Sequence, residues 1–439
     1  MQENSKGFVG RESDLAVLDT FIEENPHGLV TVAAPAGYGK SALLTEWISR
    51  RREAGDFVAR HFIVRRKQAT VSVVAGLKHL LRQVMAYRSE PFSTTPDNES
   101  DLADAIYERL KMPAAATERL IVLLDSIDES DGFFPGFARR EMGQGIYVVL
   151  GVRAEPGTQP KVLTSCFSGG LGDLPGMRHD LGPLSQEDMV LWLRVAALKS
   201  IGIDDQTIVS ALKRATDRIP LFLRYVIESL VARFDGDTTD DIKISLSSMS
   251  ASFTDYVRDQ LDSLHGLGKE AWGYDVRMLF AVLTQVLAPI AAQELRSIST
   301  ELRELDLKGL DHRVERWLAV SGTDQQRTYI FAHQKLAEVF ASILDETKDA
   351  RDCLCDHCER KWNVWDNRDN TYALAFAPDH LIQAAARDGW SNESIRRAAR
   401  PLTSIEFHRR RLKLSISDDL MVRSVTQLRM LAEKANAAG

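Results

Sequence analysis

The stretch that decides the fold is Ala34-Pro35-Ala36-Gly37-Tyr38-Gly39-Lys40-Ser41. It satisfies the phosphate-loop pattern G-x-x-x-x-G-K-[ST] everywhere except the first position, where Ala34 replaces glycine. Upstream stands the β-rich apolar run Leu29 to Ala34, and downstream a helical pattern opens at Ala42. Strand, glycine loop and helix in that order suit one chemistry. Gly37 and Gly39 let the backbone curl so that successive N–H groups point inward at phosphate oxygens, and the following helix offers its positive end. Lys40 is then expected to reach the β- and γ-phosphates and Ser41 to place its hydroxyl on Mg²⁺.

Such a loop needs acids at the carboxyl end of a neighbouring buried strand. Arg119 to Asp125 is a continuous apolar run that ends in Asp125-Ser-Ile-Asp128-Glu129. Asp125 is expected to hold Mg²⁺ through water, and either Asp128 or Glu129 to polarise the attacking water. Another buried strand, Gly145 to Arg153, brings Arg153 toward the same phosphates, where a guanidinium would report the γ-phosphate. With a further strand at Ala59 to Val64 and helical patterns between, the first part reads as a doubly wound α/β core.

The Gly- and Pro-containing stretch from Glu155 to Gly182 reads as a loop, after which the pattern turns helical at the cap-like Ser185-Gln-Glu-Asp. Ser185 to Phe234 reads as several short helices, and the polar run Asp235 to Asp241 as a boundary. Helices are expected at Phe253 to Ser263, Tyr274 to Leu287 and Ala291 to Ser299. Trp317-Leu-Ala-Val and Thr328-Tyr-Ile-Phe then flank a polar turn at Gly322, as a hairpin would, and helices before a hairpin suggest a winged helix. The expected layout is an N-terminal segment (1–27), a P-loop nucleotide-binding domain (28–160), a helical domain (161–250), a winged-helix domain (251–345) and a C-terminal helical region (346–439).

With 439 residues, of which 44% are hydrophobic and 27% charged, the chain can bury a substantial core divided among roughly two to four domains. A net charge of -7 argues against a protein that coats nucleic acid. Met278 to Ala292, the most apolar stretch, is too short and too interrupted to span a bilayer, and the first residues show no signal-peptide core. The default expectation is therefore a cytoplasmic protein without a membrane partner. Of the four cysteines, Cys353, Cys355 and Cys358 gather around His357 within a charged helical pattern from Lys348 to Trp362. On a helix Cys353 and Cys355 diverge, so incidental thiols are expected rather than a zinc site.

Phe8-Val9-Gly10-Arg11-Glu12, Pro35 to Ser41, Leu123 to Glu129 and Val152-Arg153 together resemble the nucleotide-binding core of the STAND class of P-loop NTPases, AAA-like switch ATPases that include NACHT and NB-ARC proteins. Arg218-Ile-Pro220 is similar to the family's G-x-P motif with Arg218 in place of glycine, and Phe331-Ala-His333 to its winged-helix histidine motif. Tyr372 to Leu381 looks like the helical segment that often precedes a repeat array. The resemblance implies ATP or ADP held with Mg²⁺ by Pro35, Ala36, Gly37, Tyr38, Gly39, Lys40, Ser41 and Ala42, with Val9, Arg11, Pro220 and His333 completing the site. It places His333 on the β-phosphate of ADP. It also implies homo-oligomers in the ATP state and an effector or sensor protein as partner. The chain shows neither an effector module nor a repeat array, with about ninety residues of helical pattern after the winged-helix region.

Three functions compete: a signalling switch, closed with ADP and oligomerising with ATP, with slow hydrolysis; a winged-helix DNA-binding ATPase; and a nucleotide-binding scaffold without turnover. Against the second, Ala291 to Asp311 carries Glu294, Glu301, Glu304, Asp306 and Asp311 against Arg296, Arg303 and Lys308. A groove-reading helix does not normally carry an acid excess. The basic run Arg396 to Lys413, with Arg409-Arg-Arg411, reads as a solvated helix face. Against the third, Lys40, Ser41, Asp125 and Glu129 are all present.

Overall fold

The computed structural model describes residues 8–64, 68–91, 95–115, 118–130, 134, 136, 141–159, 175–195, 206–233, 252–265, 272–305, 307, 316–322, 327–364, 371–413 and 418–438. The boundary run 235–241 and the tip of the expected hairpin, 323–326, lie outside the described residues. The chain divides into two compact units, Met1–Tyr256 and Val257–Gly439.

The first unit opens with α1 (Glu12–Glu24), β1 (Gly28–Ala34), α2 (Lys40–Glu53) and β2 (Phe57–Phe62). There follow α3 (Gln68–Val71), α4 (Val73–Tyr87), α5 (Glu99–Leu110), β3 (Leu120–Asp125) and β4 (Ile146–Arg153). The five-stranded sheet runs β2-β3-β4-β1-β5, every described pairing parallel, with β5 spanning Gly176–Asp180. Alternation explains why β1 and β3 are apolar throughout. Val30, Val32, Ile121 and Leu123 face one core under α1 and α2, where Trp47 and Leu18 are fully buried. Leu29, Ala33, Leu120 and Val122 face the other core, under α4 and α5. A strand covered on both faces has no polar side to show.

β5 corrects the expectation of a loop through Glu155 to Gly182. Gly-Met-Arg-His-Asp has no apolar run, because β5 is an edge strand with side chains half-buried or exposed. Its register on β1 comes from the backbone, Leu29 facing Gly176 and Ala33 facing Asp180. Beyond it come α6 (Gln186–Val195), α7 (Gln206–Thr216) and α8 (Pro220–Arg233), which share a small core around Met189, Leu212 and Leu223. The Ser185 hydroxyl caps α6 by accepting the Asp188 N–H at 3.0 Å. α9 (Phe253–His265) straddles the boundary between the units.

The second unit begins with α10 (Trp272–Gln285) and a three-stranded sheet of order β6-β8-β7, formed by Ile290–Ala291, Leu318–Ser321 and Thr328–Phe331 (β6, β7 and β8 in chain order). β7 and β8 pair antiparallel, Leu318 facing Phe331. Phe280, Trp317, Phe331 and Phe340 pack as a ring cluster, Phe280 and Phe340 with centroids 4.6 Å apart. The expected helix over Ala291 to Ser299 is instead β6 followed by two short helices, α11 (Ala292–Arg296) and α12 (Thr300–Arg303). Then come α13 (Gln334–Ile343), α14 (Thr347–Lys361), α15 (Thr371–Arg387), α16 (Asn392–Thr403), α17 (Ile405–Lys413) and α18 (Asp418–Ala438). Among the described residues no helix is long and apolar enough to cross a membrane.

Two charged groups, Glu294 of the acid-rich stretch and Arg411 of the run read as a solvated face, are buried in this unit. Glu294 is 1% exposed and accepts the N–H groups of Tyr372 at 3.0 Å and Ala373 at 2.8 Å, satisfying the orphan donors at the start of α15. It therefore does not belong to a surface acid excess; Asp306, Lys308 and Asp311 of that stretch lie outside the described residues. Arg411 is also 1% exposed. Its guanidinium donates to the carbonyls of Leu374, Ala375 and Leu420 and to the Ser424 hydroxyl. Arg410, 8% exposed, reaches the Trp362 carbonyl. Of the triplet, Arg409 stays on the solvated face, paired with Glu406. Periodicity favoured a polar face and missed that a guanidinium can take a carbonyl a helix leaves open, at the end of α14 for Arg410 and ahead of Pro378 inside α15 for Arg411.

Candidate nucleotide site

The phosphate loop joins the end of β1 to the start of α2. Gly37 (φ 92°) and Gly39 (φ 86°) both take the left-handed conformation that glycine allows without strain. Gly39 stands as the cap ahead of Lys40, the first residue of α2. Pro35, Ala36, Tyr38, Ser41 and Ala42 are half-buried around it.

Asp125 ends β3, which is not a neighbour of β1; β4 lies between them. Its carboxylate therefore has to cross β4, and it does so over Gly151. A Cβ at Gly151 would stand 1.9 Å from Asp125 Oδ1. This glycine is a site residue that motif reading missed, although a lone glycine inside a buried strand is itself a sign of close approach. Having crossed, Asp125 accepts a hydrogen bond from Lys40 Nζ at 2.9 Å (Oδ1) and another from Ser41 Oγ at 2.5 Å (Oδ2). Lys40 Nζ also reaches the Ser126 hydroxyl at 3.3 Å. Lys40, Ser41 and Asp125 are thus brought together as the sequence suggested, and Ser126 is a further member.

The other acids are resolved differently. Asp128 is exposed, and its Oδ1 accepts the backbone N–H of Arg153 at 2.8 Å. Arg153 ends β4 and is half-buried beside Ala34 in the register of β1. Glu129 closes the short 3₁₀ turn that follows Ser126.

The Gly10-Arg11 turn lies on the loop from the other side. Arg11, 5% exposed, donates from its guanidinium to the Tyr38 carbonyl at 3.0 Å and to Asp14. Burial lowers its pKa, against the raising effect of Asp14 and Asp188. Asp14 in turn meets His179 of β5 at 2.8 Å. The Arg11 backbone N–H donates to Asp188 of α6 at 3.1 Å, and Asp188 fills the place a side chain at Gly10 would need. Val9 is half-buried just ahead of this turn.

Pro220 is the first residue of α8, where its fixed φ and missing N–H cost nothing. It also packs against the loop, its Cγ 3.6 Å from where a Cβ on Gly39 would stand. Next to it the Leu221 N–H donates to the Gly37 carbonyl at 3.1 Å. His333 belongs to the second unit, where it caps α13, its Nδ1 accepting the Lys335 N–H at 3.0 Å.

The donor set fits a nucleotide polyphosphate with Mg²⁺. A hydroxyl and a carboxylate are hard oxygen ligands suited to that ion, an ammonium suits phosphate, and two left-handed glycines aim the backbone N–H groups. Ser41 and Asp125 would hold Mg²⁺, which would neutralise phosphate charge there.

Residues 7–132 match the family model described as AAA ATPase domain. This segment is similar to AAA ATPase domains. The match runs from the Gly10-Arg11 turn through the acids after β3. Comparison with curated proteins gives no match. Among solved structures, a Signal Transduction ATPase with Numerous Domains (STAND) protein with a tetratricopeptide repeat sensor, from Pyrococcus horikoshii, is 14% identical with a TM-score of 0.45. That alignment covers 98% of this chain and 65% of the archaeal one, so the chain spans about two thirds of that protein's length. The Drosophila ORC bound to DNA is 12% identical with a TM-score of 0.32, over 78% of this chain and 98% of that one. Likenesses of this size say nothing of activity or partners.

The cysteine group has a different environment from a metal centre. Among the described residues no three His, Cys, Asp or Glu side chains are grouped to hold a metal ion. Burial pushes the Cys355 thiol up to about 11 and raises Cys358 as well, so both stay protonated at neutral pH. His357 turns from them toward Glu294, at 3.4 Å.

Proposed function

We propose that the chain is a nucleotide-operated signalling switch of the STAND class, in which the AAA domain binds ATP or ADP with Mg²⁺ and hydrolyses ATP slowly. The observation that carries this reading is the direct bond from Leu221 at the start of α8 to the Gly37 carbonyl inside the phosphate loop. A loop that rearranges around a triphosphate or a diphosphate has to move against, or with, the helical segment that touches it. A ligand shifts such an equilibrium only by its differential affinity for the two arrangements, and a contact on the loop itself is where that difference arises.

In this reading Lys40 binds the phosphates, Ser41 and Asp125 hold Mg²⁺, and Glu129 orients the attacking water. Asp128, already accepting the Arg153 N–H, positions Arg153 toward the γ-phosphate. Pro220 and Arg11 sit on the nucleotide side of the loop. The three-stranded sheet and its helices act as a winged-helix module whose His333 contacts the ADP β-phosphate in the closed state. The domain layout 28–160, 161–250, 251–345 and 346–439 follows from this assignment, with a cytoplasmic location, homo-oligomers in the ATP state and an effector or sensor protein as partner.

Static light scattering with ADP and then with a non-hydrolysable ATP analogue tests the switch. The expected result is a larger mass only with the ATP analogue and Mg²⁺, and loss of that response in Lys40→Ala. An unchanged mass with saturating analogue overturns the switch while leaving nucleotide binding intact.

A further inference from the structure

α17 is built the wrong way round for a surface helix. Its inward side carries Phe407, Arg410 and Arg411, all buried, while Ile405 is 77% exposed and Leu412 59% exposed. Among the described residues Ile405 is the most exposed large apolar side chain. At about 100° per residue, Ile405, Arg409 and Leu412 fall on one face, opposite the three buried residues. The two aliphatic groups stand two turns, or about 10 Å, apart along it. A single exposed leucine or isoleucine is ordinary. Two of them centred on the outward face of a helix that turns its guanidinium groups inward reverse the usual amphipathic order. The inward arginines have their reason in the carbonyls they meet. Solvent gives the outward positions no reason to be aliphatic.

The charges around this pair have one dominant sign. α16 packs on α17 and shows Arg396 and Arg400, one turn apart, on its exposed side, and α17 adds Arg409 and Lys413. Against them stand Glu393, exposed, and Glu406, which is paired with Arg409. The chain as a whole has a net charge of -7, so this basic surface departs from its surroundings. Four kinds of occupant differ in what they satisfy. Nucleic acid would meet the cations but leave two aliphatic groups against phosphate. A bilayer surface takes a helix with a wide apolar face, and here the rest of α17 is buried in its own unit. A second copy docking through the same face would bring arginine against arginine. An acidic helix with apolar residues at i, i+3, i+4 and i+7 satisfies both features, with carboxylates for the cations and an apolar stripe for Ile405 and Leu412.

We propose that the outward face of α16 and α17, centred on Ile405 and Leu412, docks an acidic amphipathic helix of a partner protein. The surface lies in the second unit, and the proposal stands independently of the nucleotide reading of the phosphate loop.

The test uses the full chain and a labelled synthetic peptide of about 18 residues, with leucine at alternating spacings of three and four and glutamate and alanine elsewhere. Fluorescence anisotropy compares wild type with an apolar-face variant, Ile405→Ser/Leu412→Ser, and a charge-reversal variant, Arg400→Glu/Lys413→Glu. The substituted positions are exposed, so Tm should stay near wild type in both. An aliphatic side chain that leaves water on binding is worth about tenfold or more in affinity, so the apolar-face variant is expected to bind at least about tenfold more weakly. The charge-reversal variant should also bind more weakly, with a flatter dependence on salt. The same peptide with lysine in place of glutamate should not bind. Equal affinity in wild type and the apolar-face variant overturns the proposal, as does absence of binding to wild type or equal binding of the lysine peptide. Phosphatidylserine vesicles or duplex DNA bound by wild type in place of the peptide, and lost in the apolar-face variant, would give the face to that ligand instead. A wild-type dimer that the apolar-face variant abolishes would give it to a second copy, and either result likewise overturns the proposal.

Discussion

Lys40 Nζ and Asp125 Oδ1 form an ion pair at 2.9 Å that joins the start of α2 to the end of β3 across the intervening strand β4, the lysine 11% and the aspartate 2% exposed. Each charge is the other's compensation for burial, and both belong to the groups a nucleotide with Mg²⁺ would engage. Removing one partner strands the other, which typically costs about 3–5 kcal/mol when the pair is fully buried and less where water reaches the lysine. Lys40→Met is therefore expected to lower stability in the absence of nucleotide and to abolish nucleotide binding. Asp125→Asn keeps a hydrogen-bond acceptor for Lys40 and should lose mainly the Mg²⁺ dependence of binding. Denaturant titration and nucleotide binding with and without Mg²⁺ read these separately.

Gly151 exists as glycine to let that carboxylate cross β4. In Gly151→Ala the new methyl would stand 1.9 Å from Asp125 Oδ1, so the carboxylate has to leave its position between Lys40 and Ser41. Overpacking of this kind costs about 1–3 kcal/mol. The expected protein is folded by circular dichroism, somewhat less stable, and defective in Mg²⁺-dependent nucleotide binding. Binding and stability both equal to wild type would mean that the sheet relaxes around the methyl.

Asp128 and Glu129 are adjacent acids that the structure gives different surroundings. Asp128 holds the Arg153 N–H, a bond that asparagine can also accept, so Asp128→Asn should keep most of the ATPase rate. Glu129→Gln removes the group assigned to the water, and loss of general-base catalysis typically costs about 10²–10⁴-fold. Phosphate release at saturating ATP, with nucleotide affinity measured alongside, distinguishes the two. A reversed order of effects would exchange the roles.

Arg411 ties α17 to the carbonyls of Leu374 and Ala375 in α15 and to Leu420 and Ser424 in α18. Each buried carbonyl left without a donor costs about 1–3 kcal/mol. Arg411→Met, which keeps most of the volume, leaves the Leu374 carbonyl, opposite Pro378, without a donor and is expected to destabilise the second unit by about 1–3 kcal/mol. Arg409→Met, on the exposed face, should be nearly neutral. Two-probe thermal unfolding of both variants checks the contrast.

How much of this was legible in the sequence depends on what each residue answers to. The strands β1, β3 and β4 answer to burial on both faces, so their apolar runs locate them to within a residue or two. Lys40 and Ser41 carry the fixed spacing of the phosphate-loop pattern, and Asp125 is marked by the apolar run it ends. β5 answers only to backbone pairing at a sheet edge, which Gly-Met-Arg-His-Asp does not advertise. Glu294 and Arg411 answer to unsatisfied backbone groups on helices distant in sequence, so their charge alone suggested solvent. Gly151 and Leu221 act through neighbours that only the assembled sheet and the start of α8 bring near. The motif supplied the phosphate loop, and the fold supplied what presses on it.

His380 gives a pH dependence whose sign can be worked out. It is 4% exposed, and burial, followed by the charge of Arg387 and the neighbouring His357, pushes its pKa down to about 4 from 6.5. Its Nε2 meets the Tyr372 hydroxyl at 2.8 Å, and that hydroxyl oxygen accepts the Leu287 N–H at 2.9 Å. The low pKa keeps the imidazole neutral at pH 7, and its Nε2 shares one hydrogen with the Tyr372 hydroxyl, in a direction set by the tautomer. The unfolded chain takes up a proton at this position near pH 6.5, whereas the folded chain resists it down to about 4. Stability from this site is therefore complete above about pH 6.5 and is lost progressively as pH falls toward 4, by roughly 3 kcal/mol in all. His380→Gln, which cannot be protonated, should flatten the fall in Tm between pH 7 and pH 5 relative to wild type. A slope unchanged by that substitution would place the acid sensitivity of the second unit on other groups.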